Sequence, residues 1–223
     1  MSTPIRNWIK KTLLENVPVG TIWSDAKGDS RFERLTGMSQ DGLNAKWFKV
    51  DRDEKTKKIT AVHYDQKGDD PRFTTCSSFL PRFATTIRRA GGLPTRKKNW
   101  EGKWQDIGLK GFQLHTERIG WIPAAVGYAL YGGPKEGDFF QLGHGGTTEH
   151  VGIILGINGD TWSCVAGGAG GRGSKHDGVK RTPYQHRPHH IMGWIDVDIY
   201  FRGWSGPNYG EVFDPAKLTA NKL

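Results

Sequence analysis

Cysteine is nearly absent from this chain. Cys76 and Cys164 are the two in 223 residues, and one pair builds no disulfide framework. No Cys-x-x-Cys spacing occurs, so no thiolate zinc site is encoded and neither a metal nor a cofactor is expected. Long apolar runs are also missing. The longest candidate, residues 121–133, falls short of the ~18 residues of a membrane span and is interrupted by Pro123, Gly127 and Gly132. At the N-terminus, Arg6, Lys10 and Lys11 are scattered where a signal peptide keeps an apolar stretch, so no signal peptide is expected. There is no internal repeat or low-complexity tract, and no recognition-helix pattern, RNP box or zinc finger. Nucleic acid is therefore not expected as a partner.

What is present describes a folded, basic, turn-rich protein. Nine Trp place the chain outside the disordered class. The 31 Gly and 11 Pro predict many turns and argue against a helical bundle. Lys and Arg number 32 against 23 Asp and Glu, a formal charge of +9. That balance points to a polyanionic partner such as nucleic acid, anionic lipid or an acidic cell-wall polymer.

Periodicity divides the chain in two. Residues 4–16 read as a helix, with Ile5, Trp8, Ile9, Leu13 and Leu14 along one stripe. Residues 47–50 and 59–64 flank a charged turn and read as a hairpin. A second helix opens at the N-cap residues Thr74 and Thr75, repeats Phe79, Phe83 and Ile87, and ends at Gly91-Gly92. Pro81 lies inside it, so an irregular first turn is expected. Residues 91–111 read as a basic, Gly-rich loop, and 112–131 as weakly helical. After Gly137 the period changes to two. Strands are expected at 139–142, 150–155, 162–166, 178–183 and 191–201, followed by an irregular tail. A helix followed by five short strands with tight turns reads as α+β with an antiparallel sheet.

Cys76 is the residue that calls for a chemical explanation. It stands in the first turn of its helix, where unpaired N–H groups and the dipole favour a thiolate. The commoner fate of a lone Cys is a small buried hydrophobe. A nucleophile needs a base. His150 begins an apolar strand after a glycine loop, and His144 within that loop is its rival. His186, His189 and His190 form a second cluster, but it contains no acidic residue and reads as a solvated loop rather than a metal site. His63 and His115 read as half-buried.

These motifs resemble a known superfamily. TTCSSFLPRF at 74–83 is similar to the nucleophile helix of the NlpC-like and CHAP cysteine amidases and endopeptidases, which are papain-like. GDFFQL at 137–142 and EHVGIIL at 149–155 resemble that family's Gly-Asp strand and its His-bearing strand. DTWSCVAGGAGGRG and GWIDVDIYF resemble the strands that follow, so the likeness spans about 76–200. It implies an α+β, papain-like fold in which the nucleophile helix packs on a five- to six-stranded antiparallel sheet. On that basis residues 1–66 form an N-terminal helix and hairpin packed on the core, 67–203 the hydrolase core, and 204–223 a tail.

The resemblance also implies roles. Cys76 attacks an amide carbonyl after His150 takes its proton, and the backbone N–H of Cys76 helps to hold the oxyanion. The family's third polar residue falls at Ala166, which has no polar side chain. Ser163, Cys164, Asp177 or a backbone carbonyl remain as substitutes. The implied activity is cleavage of an amide bond in peptidoglycan. Without a signal peptide, the implied setting is an antibacterial effector of a type VI secretion apparatus. It would be made in the cytoplasm, act in the target periplasm, and be countered by a cognate immunity protein. A phage endolysin and a papain-like toxin acting on a cytosolic protein are the alternatives. A third reading is a non-enzymatic wall-binding or phage structural module, in which Cys76→Ala leaves all activity intact.

Overall fold

A computed structural model describes residues 2–23, 29–37, 48–56, 59–64, 75–98, 100–106, 108–109, 113–144, 147–169, 178–203 and 214–218. Helix α1 (Pro4–Asn16) opens with Pro at its first position and buries Ile5, Arg6, Trp8, Ile9, Thr12 and Leu13. Helix α2 (Arg31–Thr36) buries Phe32 and Leu35 and stops at Gly37, whose φ of 69° suits glycine. Helix α3 (Thr75–Ala90) carries the Phe79, Phe83 and Ile87 stripe into the core. Each of these side chains contributes roughly 1.5–3 kcal/mol by burial. Pro81 sits within α3, and the Thr85 hydroxyl donates to its carbonyl at 2.9 Å. Thr74 lies outside the described residues.

The centre of the molecule is a fully antiparallel sheet of seven strands. Its members are β1 (Gly20–Trp23), β6 (Trp121–Pro123), β7 (Phe139–His144), β8 (Thr147–Asn158), β9 (Thr161–Gly167), β10 (Gly178–His186) and β11 (Ile191–Ile195). They lie in the order β1-β10-β9-β8-β7-β11-β6. The fold is thus α+β, with seven strands where the sequence suggests five or six. The additional strands, β1 and β6, are the two edges, three and four residues long. Each is held by one neighbour, with Ile22 opposite Val179 and Ile122 opposite Trp194. Segments so short carry too little alternation to be read from sequence.

Three further expectations change. Residues 191–201 are not one strand: β11 ends at Ile195, and helix α4 (Ala124–Tyr131) has a later counterpart in α5 (Val197–Gly203). The Asp196 carboxylate accepts the N–H groups of Asp198 and Ile199 at 3.0 and 3.1 Å, which caps α5 and stops the strand. Within the basic loop, β4 (Arg96–Lys98) pairs with β5 (Trp104–Asp106). In the tail, a 3₁₀ turn at Pro215–Lys217 is capped by Asp214, whose N–H bonds to the Gly91 carbonyl. The expected hairpin at 47–64 is present as β2 (Phe48–Arg52) and β3 (Ile59–Tyr64), with Val50 opposite Val62.

The sheet has two differently furnished faces. Phe139, Val151, Ile153, Leu155, Val165, Val179 and Ile195 join α1, α2, α3 and α5 in one large core. Trp8 of α1 stacks on Phe83 of α3 there, with ring centroids 6.1 Å apart. Phe140, Ile154, Trp162 and Cys164 form a smaller cluster, with Leu142, Ile157 and Ile191 packed against it. Helix α4 lies on this second face, where Gly127 leaves room for the Trp194 ring.

Candidate functional site

Cys76 is the second residue of α3, as the sequence suggests, so helix N–H groups are near at hand. The residue is also 3% exposed and belongs to the large core with Phe79, Leu80 and Val151. A substrate carbonyl cannot reach the thiol unless that packing opens. Neither cysteine forms a disulfide.

His150 stands on β8 opposite Leu142 of β7. Alternate side chains of a strand point to opposite faces. Val151, Ile153 and Leu155 face the helices, so His150, Gly152 and Ile154 face the second cluster. The ring packs accordingly: its centroid lies 6.4 Å from that of Phe140. Burial pushes the His150 pKa below its ordinary value. The structure therefore does not bring the expected nucleophile and base together. Cys76 belongs to the core on the helix side of the sheet and His150 to the opposite face, so the layer of strands lies between them. Proton transfer between them needs a contact of about 2.6–3.2 Å.

The remaining candidates follow the same division. Ala166 lies on the His150 face, where a Cβ added at Gly152 would lie 3.0 Å from the Ala166 Cβ. Cys164 is on that face too, and burial raises its thiol pKa. Ser163 alternates to the helix face, and its hydroxyl donates to the Thr182 carbonyl at 3.0 Å. None of the three stands as a polar partner for the His150 ring. Asp177 lies outside the described residues. His144 ends β7 opposite Thr147, and its side chain is likewise outside the description.

His186 closes β10 on the surface, and the His189 and His190 rings are 6.4 Å apart. Among the described residues no group of three or more His, Cys, Asp or Glu side chains is arranged to hold a metal ion. His63 lies on β3 opposite Lys49. His115 is tied down: its N–H donates to the Gln141 amide oxygen at 3.0 Å, and its Nδ1 lies 2.9 Å from Gln141 Nε2. Gln141 is fully buried, so this pairing anchors the 114–116 turn to β7.

Among the described residues, the strongest polar constellation is one that motif reading misses. Arg6 of α1 is buried, and three carboxyl groups converge on it. Asp138 lies at 2.8 Å, Asp196 at 3.1 Å and Asp198 at 2.7 Å, and the Glu136 carbonyl accepts from the same guanidinium at 2.8 Å. Asp138 also accepts the N–H groups of Lys135 and Val197. Burial pushes the Asp138 carboxyl up to about 7, against the opposing pull of Arg6. The site links α1, β7 and α5: Nε and Nη1 donate to Asp198 and to the Glu136 carbonyl, while Nη2 lies within ion-pair distance of Asp196 without making a hydrogen bond, so the arrangement reads as a clamp between these elements. Its signal was present in the sequence: Arg6 lies on the same helical face as Ile9 and Leu13.

No family model, no curated protein and no solved structure matches this chain.

Proposed function

We propose that the chain is a non-hydrolytic protein that binds an anionic cell-wall polymer, with peptidoglycan as the partner that its motifs suggest. The observation that carries the non-hydrolytic part is the position of Cys76 and His150 on opposite faces of the sheet. The charge of +9 supports an anionic partner. The likeness of residues 76–200 to wall amidases supports the wall as the place of action.

A second reading, a cysteine amidase or endopeptidase of peptidoglycan, is favoured by the place of Cys76 in the first turn of α3. Purified sacculi distinguish the two. Wild type and Cys76→Ala are expected to co-sediment with sacculi to the same extent and to release no fragments detectable by mass. Binding should weaken as added salt shortens the screening length toward about 3 Å at 1 M. Fragments released by wild type and not by Cys76→Ala would establish the hydrolase instead. Failure of both proteins to sediment with sacculi would remove the wall as target.

A further inference from the structure

The β4–β5 hairpin carries an arrangement that neither the core nor the two central cysteine and histidine residues use. Arg96 pairs with Asp106, and Lys98 with Trp104, so Arg96, Lys98 and Trp104 share one face of the ribbon. Lys98 Nζ lies 5.5 Å from the Trp104 ring centroid, and Arg96 Cζ lies 6.0 Å from it. Both are within the range of a cation–π contact. Between the strands the chain turns through Gly102, whose φ is 75°. At this tip Trp100 is 92% exposed, and Trp104 behind it is 58% exposed. Glu101 at the tip is paired with Lys103 at 2.9 Å. From Arg96 to Asp106 the ribbon has four cationic residues and two carboxylates.

An indole held in water at the end of a basic ribbon has a recognisable use. Trp prefers the boundary between lipid headgroups and acyl chains, where its apolar body and its N–H are both satisfied. Cations close behind it would meet the phosphates of an anionic leaflet. A linear polymer is a poorer fit. The Trp104 face is already occupied by Lys98 and Arg96, which leaves Trp100 as the single open stacking surface on this ribbon. A bilayer needs one tip and no track. We propose that the β4–β5 hairpin docks the protein on an anionic phospholipid surface, with the Trp100 indole entering the interface and Lys98 and Arg96 facing the headgroups. This inference does not rest on the wall-binding reading, because lipid vesicles contain no wall polymer.

Vesicle flotation tests it with the full chain. Wild type is expected to float with vesicles of equal parts phosphatidylcholine and phosphatidylglycerol, and not with phosphatidylcholine alone. Trp100→Ala should lower the partition coefficient at least about tenfold, as expected when a large apolar anchor is removed. Lys98→Gln should lower it about fivefold. Trp100→Phe should retain most of the binding. Because Trp100 is almost wholly exposed, these variants should keep the wild-type circular dichroism spectrum and melting temperature. Equal binding to neutral and anionic vesicles overturns the proposal, as does undiminished binding of Trp100→Ala. So does loss of binding to single-stranded DNA or to sacculi on Trp100→Ala while vesicle binding is unchanged, which would assign the tip to a polymer.

Discussion

Replacing Arg6 with Met tests the buried clamp most directly. Methionine keeps the apolar stem that packs in α1 and removes the charge that three carboxyl groups share. Asp138 is 1% exposed, so its carboxyl cannot turn to water when the guanidinium is gone. Removing one partner of a buried pair costs about 3–5 kcal/mol. In a chain of this length each kcal/mol moves the melting temperature by about 2–4 °C, so a fall of about 6–20 °C is expected near pH 7.

The pH dependence has a definite sign. The folded Asp138 carboxyl titrates at about 7, above the 3.8 of an unperturbed one, so over that window unfolding releases a proton. Wild-type stability from this group is therefore fully present below about pH 4 and is lost as pH rises toward 7, by an amount on the order of 4 kcal/mol. Near pH 5 Asp138 is protonated in the folded protein, whereas near pH 8.5 the wild-type carboxyl is ionised, and Arg6→Met should cost at least about 1 kcal/mol less at the lower pH. Asp138→Asn should flatten the wild-type slope between about pH 4 and 7. Urea melts at the two pH values read both effects. A loss below about 1 kcal/mol, or the same loss at both pH values, would refute the claim that three carboxyl groups depend on one buried cation.

Gly152→Ala tests which way the His150 face of β8 points. The added Cβ would lie 2.7 Å from Phe140 Cζ and 3.0 Å from the Ala166 Cβ, so a destabilisation of about 1–3 kcal/mol is expected in a denaturant melt. An unchanged midpoint would mean that Phe140 does not lie over Gly152. Thiol titration tests the burial of Cys76 and Cys164. The native protein should show no rapidly reacting thiol and the denatured protein two. A fast native thiol that disappears with Cys76→Ala would return Cys76 to the role of nucleophile.

Much of this architecture is written in local pattern. The stripe from Ile5 to Leu13, the Phe79–Phe83–Ile87 repeat and the alternation in β7 to β10 each follow from burying one face of an element, and each lies where its period places it. The expected site depended on something local pattern does not contain, namely which face of β8 meets α3. HVGIIL offers two sets, His150-Gly152-Ile154 and Val151-Ile153-Leu155. The bulkier set fills the larger core, and the imidazole goes to the other side. Side-chain volume was the available clue, and the nucleophile motif pointed the other way.

The chain alone therefore determined its α+β class, its main helices and central strands, its basic charge and the entry of Cys76 into the first turn of a helix. These depend on neighbours within a few residues or on composition. Tertiary packing decided the two edge strands, the convergence of Asp138, Asp196 and Asp198 on Arg6, and the separation of Cys76 from His150. Each of those requires segments far apart in sequence to meet, and a strand's period of two specifies that its faces differ without specifying what lies against either one.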